Sequence, residues 1–141
     1  MSSTDHKQLL QQIFQGLANR DGTLFIDTMT EDCRWSTIGT GKWSGAFDGK
    51  QAILRDLLGP LRERLAERSK TVAQRFIVDG DFAAVEARGH NVTKAGAPYR
   101  NEYCFVFRFA GDKIAEVTEY SDTELIANVL GDPAVPLVKA G

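Results

Sequence analysis

The chain has 141 residues, 43% of them hydrophobic, which suits one compact domain with a buried core and an internal pocket and is short for two. Its 17 basic and 19 acidic side chains are interspersed and leave a formal charge of −2, so no field gathers nucleic acid or an anionic membrane surface. No apolar stretch approaches the ~20 residues of a membrane span and MSSTDHKQLL lacks the pattern of a leader, so a cytoplasmic protein that handles small molecules or protein partners is expected.

In chain order, Leu9, Leu10, Ile13, Phe14 and Leu17 predict an amphipathic helix from Asp5 to Ala18, stopped by Asn19-Arg20-Asp21-Gly22. Leu24, Phe25, Thr28 and Met29 predict a second short helix ending near Glu31 and Asp32, and Cys33 to Ile38 reads as a strand. GTGKWSGAFDGK holds four glycines in twelve residues, which favours a loop or irregular hairpin whose Trp43 and Phe47 need somewhere to pack. Ile53, Leu54, Leu57, Leu58, Leu61 and Leu65 form a helical stripe that Gly59-Pro60 should kink or divide.

From Thr71 onward, extended runs rich in Val, Phe, Tyr and Ile are separated by Asp79-Gly80, Lys94-Ala95-Gly96 and Gly111-Asp112. They predict about four strands in an antiparallel meander. Helices precede the long strands, so the class is α+β, with residues 1–131 as the domain and 132–141 as an extended tail. Cys33 and Cys104 lie far apart in strand-like contexts and read as buried free thiols, with neither a disulfide framework nor a metal site indicated.

Three acids crowd the segment TEYSDTEL, residues 118–125. Ser121 with Glu124 has the spacing of a capping box, and Asp122 suits the first turn of a helix that runs through Ile126 and stops at Gly131-Asp132-Pro133. Glu119 has no such local cause. Strand alternation places it with Ala115 and Val117, the more apolar row, where desolvation raises a carboxyl toward the range of a general acid or base. On the strand from Phe82 to Val92, alternation groups Glu86, Arg88 and His90, a set that reads either as a charge network for the site or as a solvated ion-paired face. Asn101, Tyr103 and Phe105 share a row on the following strand, with hydrogen-bonding groups at one end and apolar wall at the other.

TEDCRW, GAFDGKQAI and FRFAGDKIAEVTEYSD, in this order and spacing, resemble the nuclear-transport-factor-like superfamily, in particular its SnoaL-like and ketosteroid-isomerase-like groups. The resemblance implies a cone-shaped barrel: a strongly bent antiparallel sheet wrapped around N-terminal helices and a deep apolar pocket, with a short C-terminal helix, often as a homodimer. In SnoaL-like polyketide cyclases and limonene-epoxide hydrolases a catalytic aspartate stands where this chain has Glu119. The hydrolases' paired arginine and aspartate fall on Glu86 and Arg88 in reversed order, and their water-holding tyrosine and asparagine on Trp35 and Thr37. The groups that ketosteroid isomerases need fall on Phe14, Thr37 and Phe105, so ordinary steroid isomerisation is not expected.

The resemblance therefore implies an acid–base enzyme, an isomerase, cyclase or lyase without metal or organic cofactor, acting on a hydrophobic carbonyl-bearing molecule. Glu119 moves the proton, with His90, Arg88 and Glu86 assisting, in a pocket bounded by Phe14, Trp35, Thr37, Trp43, Asn101, Tyr103, Phe105 and Ile126. Two alternatives stay open: a binding module that uses the same cone without catalysis, and an epoxide hydrolase with a rearranged charge network.

Overall fold

The computed structural model describes residues 1–133, so all but the first two residues of the expected tail lie outside the described ones. The first helix, α1 (Ser3–Ala18), begins earlier than Asp5 because Ser2 and Asp5 form a capping box. The Ser2 hydroxyl accepts the Asp5 N–H at 3.1 Å and the Asp5 carboxylate accepts the Ser2 N–H at 3.0 Å. The apolar stripe of α1 buries Leu10, Ile13 and Phe14 together with His6.

The second helix, α2 (Thr23–Thr28), is shorter than its periodicity predicts. The Thr28 hydroxyl bonds back to the Leu24 carbonyl, and Met29 is buried as the first residue of an extended strand, β1 (Met29–Thr37). The glycine-rich segment folds back as β2 (Gly45–Asp48), antiparallel to β1, and sends Phe47 into the core.

The leucine stripe forms α3 (Lys50–Ala52), a π-helical stretch over Ile53–Leu58, and α4 (Gly59–Arg64). The expected irregularity is thus a widened turn ahead of Pro60, which has no N–H to continue an ordinary ladder. A Cβ on Gly59 would stand 2.9 Å from the Leu54 carbonyl oxygen, so the widened turn requires glycine there.

The remaining strands are β3 (Thr71–Asp79), β4 (Phe82–Gly89), a short β5 (Asn91–Val92) and β6 (Pro98–Tyr99) hairpin, β7 (Glu102–Ala110) and β8 (Lys113–Ser121), followed by α5 (Thr123–Leu130). The main sheet has the order β2-β1-β8-β7-β4-β3. The predicted meander is present in β3, β4, β7 and β8, but the sheet is not purely antiparallel, because β1 joins β8 in parallel. This seam puts Trp35 opposite Val117 and Thr37 opposite Glu119. The result is an α+β fold in which N-terminal helices lie against a strongly curved, unclosed sheet.

Alternation then decides which side chains face inward. Trp35, Val85, Ala87, Phe105, Phe107 and Val117 join α1 and α2 in the main core. A second cluster of Trp43, Leu65, Tyr99, Ile126 and Leu130 packs α5 against the loops beside the β8 terminus. Cys33 is buried in the main core, where desolvation pushes its thiol up to about 11. Cys104 is only half-buried, since its row on β7 faces away from that core.

Candidate functional site

The helices do not fill the concave side of the sheet. They leave a cavity of about 820 Å³. One wall is aromatic, built by Phe14, Phe25, Trp35, Tyr103, Phe105 and Phe107; the facing wall is aliphatic, built by Leu54, Leu57, Leu58, Leu61 and Leu65. The sequence stripe that predicts a core-packing helix face therefore lines open space over much of its length. Arg20, Asp21, Asp27, Arg62 and Arg68 contribute the charged groups of the lining; all but Arg20, whose exposure is intermediate, are exposed and form the mouth.

Away from that charged mouth, one ionisable carboxyl reaches the cavity, Glu119 on β8. Its neighbours across the sheet are Thr37 on β1 and Phe105 on β7. The side chain keeps some exposed surface because it opens on the cavity, yet it lies deep in the protein, and depth sets the desolvation cost of its charge. Desolvation raises the carboxyl from 4.5 to about 7. The Ser121 hydroxyl opposes this by donating to Glu119 Oε2 at 2.9 Å. The Trp35 side chain also favours the ionised form, although its buried Nε1–H completes no hydrogen bond of good geometry.

Tyr103 presents a further polar group on the aromatic wall of the cavity. Burial, with Tyr99 and Glu119 nearby, holds its phenol well above the usual tyrosine range, so it stays a neutral O–H donor. Its ring stacks on Phe105 at 4.9 Å, which fixes its direction. Asn101 is fully buried and is occupied elsewhere: its Oδ1 accepts the Asp122 N–H at 3.0 Å and its Nδ2 donates to the Tyr99 hydroxyl at 3.0 Å. It clasps the junction of β8 and α5 and leaves the cavity to Tyr103.

The structure thus brings Glu119, Trp35, Tyr103, Phe105 and Phe14 together and separates the other expected residues from them. Glu86, Arg88 and His90 are exposed, because the apolar partners that alternate with them, Val85, Ala87 and Gly89, take the inner face of β4. Glu86 pairs with Arg75 at 3.1 Å and Arg88 with Glu102 at 3.2 Å on that outer face, so the expected network with Glu119 is not formed. Thr37 is buried on the inner face beside Glu119 without lining the cavity. Trp43 and Ile126 belong to the second cluster, where the Trp43 indole donates to the Gly131 carbonyl at 2.7 Å.

The capping expectation is corrected in the same region. Asp122, not Ser121, caps α5 and accepts the Leu125 N–H at 3.1 Å, while β8 runs one residue further and turns Ser121 toward Glu119. Among the described residues no group of three or more His, Cys, Asp or Glu side chains is placed to hold a metal ion. No described helix is long and apolar enough to cross a membrane.

The sequence and the fold match a known class. The SnoaL-like domain family matches residues 10–117, and the chain belongs to it, within the nuclear-transport-factor-like superfamily. No curated protein matches the sequence. Among solved structures, a nuclear-transport-factor-like (NTF2-like) protein of unknown function from Burkholderia pseudomallei superposes with a TM-score of 0.76 at 16% identity, covering 92% of this chain and 98% of that one. A Jannaschia protein named for the SnoaL-like polyketide cyclases gives 0.71 at 20% identity, covering 92% and 94%. TerC, crystallised with polyporic acid, gives 0.75 at 18% identity, covering 89% and 98%. At these identities the similarity establishes the fold.

Proposed function

We propose that the protein is a general acid–base catalyst that moves a proton at a carbon next to a carbonyl, on an apolar small molecule held in the cavity. The observation that carries this reading is Glu119: a carboxyl at a cavity wall whose affinity for protons is matched to neutral pH by desolvation. A base of this strength is half ionised near pH 7 and exchanges a proton in either direction with little driving force lost. The ligand carbonyl accepts the Tyr103 O–H, which stabilises the oxygen as it gains negative charge, and the two hydrocarbon walls exclude water and strengthen that bond. Polyporic acid in the TerC structure and the name of the Jannaschia protein are in keeping with a ligand of this size and kind.

The test uses β-tetralone, a bicyclic ketone, and follows exchange of its α-protons for solvent deuterium by proton resonance. The native chain accelerates the exchange, and Glu119→Gln lowers that acceleration by about 10² to 10⁴, the usual contribution of a positioned acid–base group. Equal exchange in the two proteins overturns the proposal and assigns the cavity to binding without chemistry. The rate in the native chain rises with pH through about 7, where Glu119 becomes ionised.

A further inference from the structure

The Trp35 indole poses a question that the proton-transfer reading leaves open. Its Nε1–H is buried without a partner, an arrangement that is costly and rare in folded proteins. Trp35 itself is firmly held: its ring meets Phe105 edge-on at 6.2 Å and Phe25 at 5.8 Å, both across buried contacts. A rigid aromatic that points a donor at nothing is an unusual use of a core position.

The sheet register supplies the acceptor. On the β1–β8 seam Trp35 stands opposite Val117, so Glu119 is its neighbour one strand over and two residues along, on the same inner face. Both side chains line the same cavity. Ser121 occupies Oε2 of the carboxylate, and Oε1 has no hydrogen bond among the described residues. We infer that Trp35 is a positioning residue whose indole N–H donates to the free oxygen of the Glu119 carboxylate, completing with Ser121 a cradle of two donors for the ionised form.

Thr37 is the rival donor, since its hydroxyl is also buried and unpartnered and its residue lies directly opposite Glu119. A hydroxyl rotates and serves as donor or acceptor, whereas an indole N–H is a donor only and is fixed in direction by its ring. Tyr99 and Tyr103 are the other ionisable groups near Glu119; the charged groups of the cavity, Arg20, Asp21, Asp27, Arg62 and Arg68, belong to its opening. The cradle offsets part of the desolvation penalty. It also turns the ionised oxygen pair into one orientation before a ligand arrives, which is the condition for efficient proton transfer. The inference thus rests on the role proposed for Glu119 but is tested apart from it.

The experiment follows two resonances of the ligand-free chain from about pH 5 to about pH 9. The Trp35 indole N–H signal, assigned by its loss in Trp35→Phe, moves downfield with the same midpoint as the Glu119 side-chain carbon, and it stops moving in Glu119→Gln. In Trp35→Phe the Glu119 midpoint rises by about one pH unit, a tenfold change in ionisation at fixed pH, and in Thr37→Val it stays in place. A flat indole signal in the native chain overturns the inference, as does a midpoint shifted by Thr37→Val and not by Trp35→Phe. The indole titration needs no substitution to fold. If it is flat while β-tetralone exchange still depends on Glu119, the positioning role alone fails; if it titrates while exchange ignores Glu119, the cradle stands and the catalytic reading fails.

Discussion

His6 and Glu119 are both ionisable side chains carried inside the protein, and their surroundings could hardly differ more. His6 has no exposed surface; its Nδ1 lies 2.8 Å from the Gly80 carbonyl oxygen, its Nε2 lies 2.8 Å from that of Gly111, and its ring stacks on Phe109 at 4.0 Å. Both ring nitrogens face backbone carbonyls, to which a ring N–H donates, and the side chain ties α1 to the β3–β4 and β7–β8 turns. Glu119 receives one hydroxyl bond of good geometry and opens on unfilled space. A polar group that the fold holds against its own backbone, away from any cavity, is part of the scaffold, whereas one left partly unsatisfied at a cavity is available for a ligand.

The contrast is broken or sharpened first by exchanging each group. Glu119→Gln removes the exchange activity by about 10² to 10⁴ with folding intact, as read by the β-tetralone assay and circular dichroism. His6→Ala does the reverse: it removes the ring that links the two turn carbonyls to α1 and opens space against Phe109, costing about 3 kcal/mol in urea unfolding with no loss of activity per folded molecule. Activity lost in proportion to neither substitution would erase the distinction.

The same pair differs in how pH acts on stability. The Glu119 carboxyl is raised in the folded state, so the folded chain binds more protons than the unfolded one between 4.5 and about 7. Its contribution is therefore fully present below pH 4.5 and is lost as pH rises through about 7. Glu119→Gln cannot ionise, and at pH 8 it exceeds the native chain in stability by up to about 3 kcal/mol, an advantage that vanishes below pH 4.5. Urea titrations at the two pH values measure it, and a gap independent of pH contradicts the burial of the charge.

Smaller effects test the corrected assignments. Asp122→Ala costs about 1 kcal/mol through loss of the α5 cap, and Ser121→Ala costs less while raising the Glu119 carboxyl, both visible in thermal unfolding and carboxyl titration. Smallest of all, Glu86→Gln breaks an exposed pair with Arg75 and changes stability and activity within about 0.5 kcal/mol.

The residues whose inward face is legible in the sequence are those whose neighbours along the chain carry the information. Glu119 stands out because Ala115 and Val117 share its row, and Phe105 because four aromatics alternate along β7. The same rule places Glu86 and Arg88 outside, since Val85 and Ala87 claim the core; their chemistry drew them toward the site although their parity opposed it. Ser121 and Asp122 are adjacent cap-forming residues, and only the length of β8 decides between them. Two features needed the third dimension. The parallel pairing of β1 with β8 joins distant segments, and the cavity is lined jointly by α1, α2, the leucine stripe and the sheet.

The β1–β8 seam also bears on how the molecule is made. It joins an early strand to the last one, so a growing chain emerges with the β1 partner still unsynthesised, and closing that gap carries the entropy of a loop spanning most of the protein. Until β8 arrives, β1 and β7 each present an unpaired edge able to stick to another chain. Trp35 and Glu119 become neighbours only when β8 pairs with β1, so a chain that lacks this pairing lacks the cavity wall that carries both.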